Sequence, residues 1–98
     1  MPEILTVDPG ELVLPRSREE GADPAKLARQ ISRFGTSIDG MPPIEVYRDV
    51  DGRLIIFNGV TRATRIAKLC PGVAIEVEII GELSKSFANL PTVAEKMP

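Results

Sequence analysis

The hydrophobic pattern of this chain changes its period abruptly at Asn58-Gly59. Residues 54–57 (Leu-Ile-Ile-Phe) are continuously apolar, which predicts a strand that is covered on both faces and therefore central in a sheet. After the glycine, apolar residues recur at helical spacing until Pro71-Gly72 (Val60, Ala63, Ile66, Ala67 and Cys70). A strand that enters a helix through a glycine turn requires a fold in which helices pack on a sheet.

The other segments are consistent with such a fold. Asp23 as N-cap, Pro24 at the first helical position and Gly35 as terminator predict a helix. Asp51-Gly52 predicts a two-residue hairpin turn. Strands are predicted before and after these signals (one or two within Ile4–Leu14, then Ile44–Arg48 and Ala74–Ile80). The sequence therefore predicts an α+β domain with a small mixed sheet and two main helices.

The domain is expected to span residues 1–81, followed by a C-terminal tail over residues 82–98. The tail has no sustained hydrophobic period, although Phe87, Leu90 and Val93 are apolar. Two outcomes are open: the tail packs on the domain through these side chains, or it is partly disordered.

Composition excludes several kinds of chemistry. The 98 residues include no His and a single cysteine, Cys70, so His-dependent catalysis, an internal disulfide and a Cys/His metal site are excluded. Cys70 is expected to be a small core residue. A net charge of −2 gives no general attraction to nucleic acid. Because no apolar run approaches the roughly 20 residues that cross a bilayer and no signal peptide is evident, we expect a cytoplasmic protein without a membrane partner. The oligomeric state is undetermined.

The segment from Arg53 to Ile75 is locally basic, with four cations and no acid (Arg53, Arg62, Arg65 and Lys68). The Asn58-Gly59 turn at the helix start would add unpaired amides and a positive dipole. Helical spacing puts Arg62 at the border of the apolar stripe, and puts Thr61, Thr64, Arg65 and Lys68 on the opposite face. A half-buried guanidinium needs a partner, which is either a ligand phosphate or an internal carboxylate such as Asp39 or a Glu.

The first predicted helix carries a second basic row. Lys26, Arg29 and Arg33 share one helical face, away from Leu27 and Ile31. Such a row is either solvated or faces an anion. A role in anion binding is favoured if both helices line one cleft.

Three segments, in this order and spacing, resemble motifs of the ParB/sulfiredoxin-like superfamily over roughly Val7 to Ile80 (Asp23-Pro24-Ala25-Lys26, Met41-Pro42-Pro43-Ile44-Glu45-Val46 and Phe57-Asn58-Gly59-Val60-Thr61-Arg62-Ala63). In that superfamily, nucleotide phosphates lie between a Gly-x-x-Arg turn and the preceding helix. The resemblance implies ATP or CTP with Mg²⁺ as ligand. It implies seven phosphate- or nucleotide-binding residues: Lys26, Arg29, Arg33, Asn58, Gly59, Thr61 and Arg62.

The chain also departs from the superfamily. Val60 and Thr61 stand where a sulfiredoxin has its catalytic Cys and the neighbouring His, so thiol chemistry is not expected. The residues after Ile80 leave no room for the helix-turn-helix domain of partition proteins, so we do not expect this chain alone to form a partition complex. The Asn-Gly-Val-Thr-Arg motif is also similar to small ParB-like modules of bacterial polymorphic toxins.

We therefore expect a ParB-like domain that binds a nucleotide or phosphate, as a weak nucleotide hydrolase or a regulatory module. Two alternatives are a nuclease or nucleotide-consuming toxin-type effector, and a ligand-free protein-interaction module. Hydrolysis would draw on loop carboxylates such as Glu19, Glu20 and Asp39, and no metal site is expected. The basic residues could also contact DNA phosphates, but the sequence indicates no aromatic stacking face beside them.

Overall fold

A computed structural model describes residues 3–97 and contains a four-stranded mixed sheet with two helices. The strands are β1 (Glu3–Val7), β2 (Ile44–Arg48), β3 (Leu54–Asn58) and β4 (Ile75–Glu82), and the helices are α1 (Pro24–Phe34) and α2 (Val60–Leu69). This architecture confirms the predicted α+β class. No helix within residues 3–97 has the length and hydropathy that crossing a bilayer requires.

The sheet has the order β1-β4-β2-β3, in which β4 is antiparallel to β1 and parallel to β2. The prediction that the apolar strand β3 is central is wrong, because β3 is an edge strand. Val13 covers this edge: its N–H donates to Leu54 O at 2.8 Å, and its carbonyl accepts from Ile56 N–H at 2.9 Å. Ile56 is buried in one hydrophobic cluster and Ile55 in another that includes Leu90, so both faces of β3 are covered at these residues.

The segment Ile4–Leu14 forms one strand, not two. After β1 the chain makes a 3-10 turn over Pro9–Glu11, and residues 12–14 then run along β3 as a buried connection. The main core lies between one sheet face and α2, and includes Leu12, Ile44 and Ile66.

The C-terminal tail packs on the domain as far as residue 97. Val93 joins the main core, and Leu90 forms a second cluster with Val13 and Ile55. Leu14 N–H donates to Pro91 O at 2.8 Å, which fixes the tail beside the buried connection.

The first helix is confirmed with both predicted ends. Asp23 Oδ1 accepts hydrogen bonds from Lys26 N–H at 3.2 Å and Ala25 N–H at 2.8 Å, and these bonds lower the pKa of Asp23. Gly35 N–H donates to Ile31 O at 2.8 Å at the other end. These caps fix the basic row of α1 relative to the rest of the fold.

The hairpin between β2 and β3 is present, but five residues, 49–53, connect the two strands in place of the predicted two-residue turn. Gly52 has φ 82°, and its N–H closes the turn by donating to Asp49 O at 3.1 Å. Asp49 is 3% exposed and accepts from the amides of Asp51, Arg53 and Phe87 at 2.9 Å each. Burial acts to raise the pKa of Asp49, but the three amide donors together hold it below its ordinary value.

The second helix is buried on two faces, because part of the face opposite the apolar stripe is also covered. Thr64 and Arg65 are almost fully buried, Thr61 is half-buried and Lys68 is exposed. The reason is that α1 packs on this side of α2, so α2 lies between α1 and the sheet.

Candidate functional site

The turn between β3 and α2 needs a glycine for two reasons. Gly59 has φ 116°, a conformation that L-residues rarely adopt. A Cβ at this position would stand 2.7 Å from Ile44 Cδ1 and 2.9 Å from Arg62 Nη2. The guanidinium of Arg62 therefore folds back over Gly59, beside the start of α2.

Arg62 is half-buried, as predicted, and its charge is not neutralised within the described part of the chain. Its Nη1 donates to Pro42 O at 2.8 Å, and no carboxylate of residues 3–97 is within salt-bridge distance. Partial burial lowers the pKa of Arg62, and the more distant Glu45 opposes this effect. The internal ion pair with Asp39 or a Glu that the sequence left open is therefore not formed among these residues.

A groove of about 540 Å³ lies between α1 and the glycine turn, and we call it the first groove. It brings together five of the seven predicted site residues, namely Lys26, Asn58, Gly59, Thr61 and Arg62. Arg18 adds a third cation from the loop before α1.

Arg29 and Arg33 are not in this groove. They line a second groove, also of about 540 Å³, along the exposed side of α1. The two grooves share Lys26, Gln30 and Thr61. The predicted site residues thus occupy two adjoining depressions and not one pocket.

The linings of both grooves contain no acidic residue. Together they carry five cations (Arg18, Lys26, Arg29, Arg33 and Arg62). None of the five is within salt-bridge distance of a carboxylate among residues 3–97. Because the whole chain has a net charge of −2, this surface is a local concentration of positive charge in an acidic protein.

Arg65 binds the loop after α1 and lines neither groove. It is 1% exposed, and its Nη1 donates to Gly35 O at 2.6 Å and Ser37 O at 2.9 Å. These bonds attach the loop after α1 to α2, and burial lowers the pKa of Arg65. The loop and Arg65 form part of a third cavity, of about 450 Å³, that meets the first groove at Arg62.

The loop carboxylates considered for catalysis do not line the grooves. Asp39 lines the third cavity, whereas Glu19 and Glu20 line a separate depression beside the tail. Within residues 3–97, no three His, Cys, Asp or Glu side chains are grouped as metal ligands would be. Cys70 ends α2 and is partly buried against the core.

Arg18 and Gln30 are groove residues that the sequence did not indicate. Arg18 lies in a loop of polar residues whose path the hydrophobic pattern does not define. Gln30 is half-buried between the grooves, and its Oε1 is buried without a hydrogen-bond donor among the described residues. Its position one turn after Lys26 on α1 was the available signal.

Comparison with known proteins adds no identification. No protein-family model matches the chain, and no curated protein matches it significantly.

Proposed function

We propose that this domain binds a phosphate-bearing ligand, such as a nucleotide, in the first groove beside Arg62. The observation that carries the proposal is the pair of adjoining grooves whose five cations have no acidic neighbour in the linings. Separated positive charges of this kind repel one another, so an anion that contacts several of them relieves the repulsion.

Arg62 is the central ligand-binding group in this proposal. One end of its guanidinium is held by Pro42 O, which reduces the conformational freedom that binding would otherwise remove. The amides of Val60, Thr61 and Arg62 precede the first intrahelical bond, from Ala63 N–H to Gly59 O at 2.9 Å. These amides have no intrahelical acceptor and can donate to phosphate oxygens next to the guanidinium.

The expected affinity is moderate. Two or three charge-assisted hydrogen bonds contribute about 1.5–3 kcal/mol each, and ordering costs offset part of this gain. These values correspond to dissociation constants in the micromolar to millimolar range, which should weaken as the ionic strength rises.

The lining of the grooves does not fit a magnesium ion held by the protein. Mg²⁺ usually takes one or two carboxylates in addition to substrate phosphates, and neither groove offers a carboxylate. A magnesium ion would also neutralise part of the phosphate charge that the five cations attract. We therefore expect CTP or ATP to bind at least as tightly without Mg²⁺ as with it.

An NMR titration of the full chain with CTP, with ATP and with inorganic triphosphate tests the proposal. We expect amide resonances over residues 58–63 to shift in a saturable manner with each ligand. Arg62→Gln should weaken binding at least about 10-fold, because it removes a charge-assisted contact. Lys85→Gln is the matched control, since it removes one exposed charge from the tail, outside both grooves.

Two results would contradict the proposal. One is the absence of saturable shifts at millimolar ligand. The other is an equal loss of affinity in the Arg62 and Lys85 variants, which would indicate a general charge effect and no specific site.

A further inference from the structure

The two grooves contain exposed aromatic rings that the sequence did not place beside the basic residues. Phe57 lines the first groove and is 60% exposed, while Phe34 lines the second and is 43% exposed. Exposed phenylalanine is unfavourable in water, so a flat ligand group that covers either ring lowers the free energy. The rings already have neighbours: the guanidiniums of Arg33 and Arg65 lie 5.3 and 5.4 Å from the centre of the Phe34 ring, and Phe57 meets Tyr47 edge-on. The sequence indicated no aromatic face beside the basic residues, whereas the structure places one ring in each groove.

The rings and the charges lie in the two adjoining grooves, which together we call the path. Each ring belongs to one groove only, whereas Lys26, Gln30 and Thr61 belong to both. The rings therefore line different grooves that adjoin at these three residues, and Phe34 also lines the third cavity. Within α1 alone, the row from Lys26 to Arg33 extends about 10 Å, at roughly 1.5 Å per residue.

This path suits a chain-like polyanion better than a compact one. A stacked nucleic-acid strand carries one phosphate per roughly 3.4 Å of its axis, so about three phosphates match the length of the α1 row. A nucleoside triphosphate carries one base and a single cluster of phosphates, and so would leave one ring or part of the row without a contact.

We infer that the two grooves together bind single-stranded nucleic acid, with one base stacked on Phe57, another on Phe34, and the intervening phosphates on the five cations. This inference rests on the proposed function, because the strand uses the same phosphate contacts at Arg62. Stacking on phenylalanine is tolerant of sequence, so little base preference follows. A duplex would bind weakly, because its bases are already stacked in pairs and are not available to the rings.

Fluorescence anisotropy with a labelled oligothymidylate of about eight nucleotides and the full chain tests the inference. If all five cations contact phosphates, the logarithm of the binding constant should fall with the logarithm of salt at a slope of about −3.5. Between about 50 and 200 mM salt, that slope corresponds to a loss of affinity of about 100-fold. An oligouridylate of the same length should bind within a few-fold.

The variants separate stacking from charge. Phe57→Ala and Phe34→Ala should each weaken the oligonucleotide about 5- to 150-fold, and Phe57→Leu should have a similar effect while keeping an apolar side chain. The double variant Arg29→Gln, Arg33→Gln should reduce the slope by about 1.4. Val50→Ala is the control, because it removes apolar surface from an exposed position outside the grooves, and it should bind as the wild type does. Circular dichroism establishes that each variant is folded.

The outcomes distinguish this inference from the proposed function. If inorganic triphosphate shifts residues 58–63 but the oligonucleotide does not bind, the inference is wrong and the proposed function stands. The inference is also wrong if a duplex binds as tightly as the single strand, or if Phe57→Leu and Phe34→Ala bind as Val50→Ala does. If neither triphosphate nor oligonucleotide binds, both proposals are wrong.

Discussion

Replacing Gly59 by alanine should destabilise the fold and displace the central arginine of the candidate site. The positive φ of 116° costs an L-residue about 1–2 kcal/mol. The added Cβ would stand 2.7 Å from Ile44 Cδ1, whose side chain is fully buried, and 2.9 Å from Arg62 Nη2. Overpacking of this kind costs about 1–3 kcal/mol. The expected total decrease in the free energy of unfolding is therefore about 2–5 kcal/mol.

Gly72→Ala is the matched control for this substitution. Gly72 also has a positive φ, of 85°, but a Cβ there would meet nothing within 4 Å. The substitution Gly72→Ala should therefore reduce the free energy of unfolding only by the conformational strain, about 1–2 kcal/mol. Urea unfolding of both variants isolates the steric part, and chemical shifts of the Arg62 side chain report its displacement. Equal destabilisation by the two substitutions, with Arg62 unmoved, would refute the close packing described for this turn.

Three further predictions concern the rest of the fold. Leu90→Ala should reduce the free energy of unfolding by about 2–5 kcal/mol in urea denaturation, because it empties a buried position under the tail, and a change within about 0.5 kcal/mol would contradict that packing. Because the pKa of Asp49 is lowered in the folded state, its carboxylate stabilises the fold above its ordinary pKa of 3.8, and this contribution is lost as the pH falls through the lower folded value. Asp49→Asn should therefore lose less stability on acidification than the wild type, as thermal unfolding at a series of pH values can measure. Arg65→Ala should reduce the free energy of unfolding by at least about 2 kcal/mol, because its bonds to two loop carbonyls are lost. It should also accelerate amide hydrogen exchange over residues 35–41. Unchanged exchange would show that Arg65 does not hold this loop.

Local signals in the sequence were sufficient for most elements. The helix from Pro24 to Phe34 was predictable because its cap, its first-turn proline and its terminal glycine all act within a few residues. The alternation of Ile75, Val77 and Ile79 identified β4, since one face of that strand is buried and the other is not.

Local signals were misleading where burial or strand order depends on distant parts of the chain. The apolar run of β3 indicated the burial of Ile55 and Ile56 correctly, but not the strand order or the exposure of Phe57, because residues 12–14 and the tail cover an edge strand at those two positions. Helical spacing identified two faces of α2, but it could not show that α1 covers the second face and buries Arg65.

The same distinction applies to the candidate site. The sequence by itself determined which residues are basic, and it determined the glycine turn that brings Arg62 to the start of α2, because the turn and the helix are local. Only the tertiary structure decided that Lys26 faces this turn, that Arg29 and Arg33 form a separate groove, and that two phenylalanines border the path. The relation of Lys26 to the turn joins residues about 30 positions apart, and it depends on how α1 packs on α2, which no local pattern encodes.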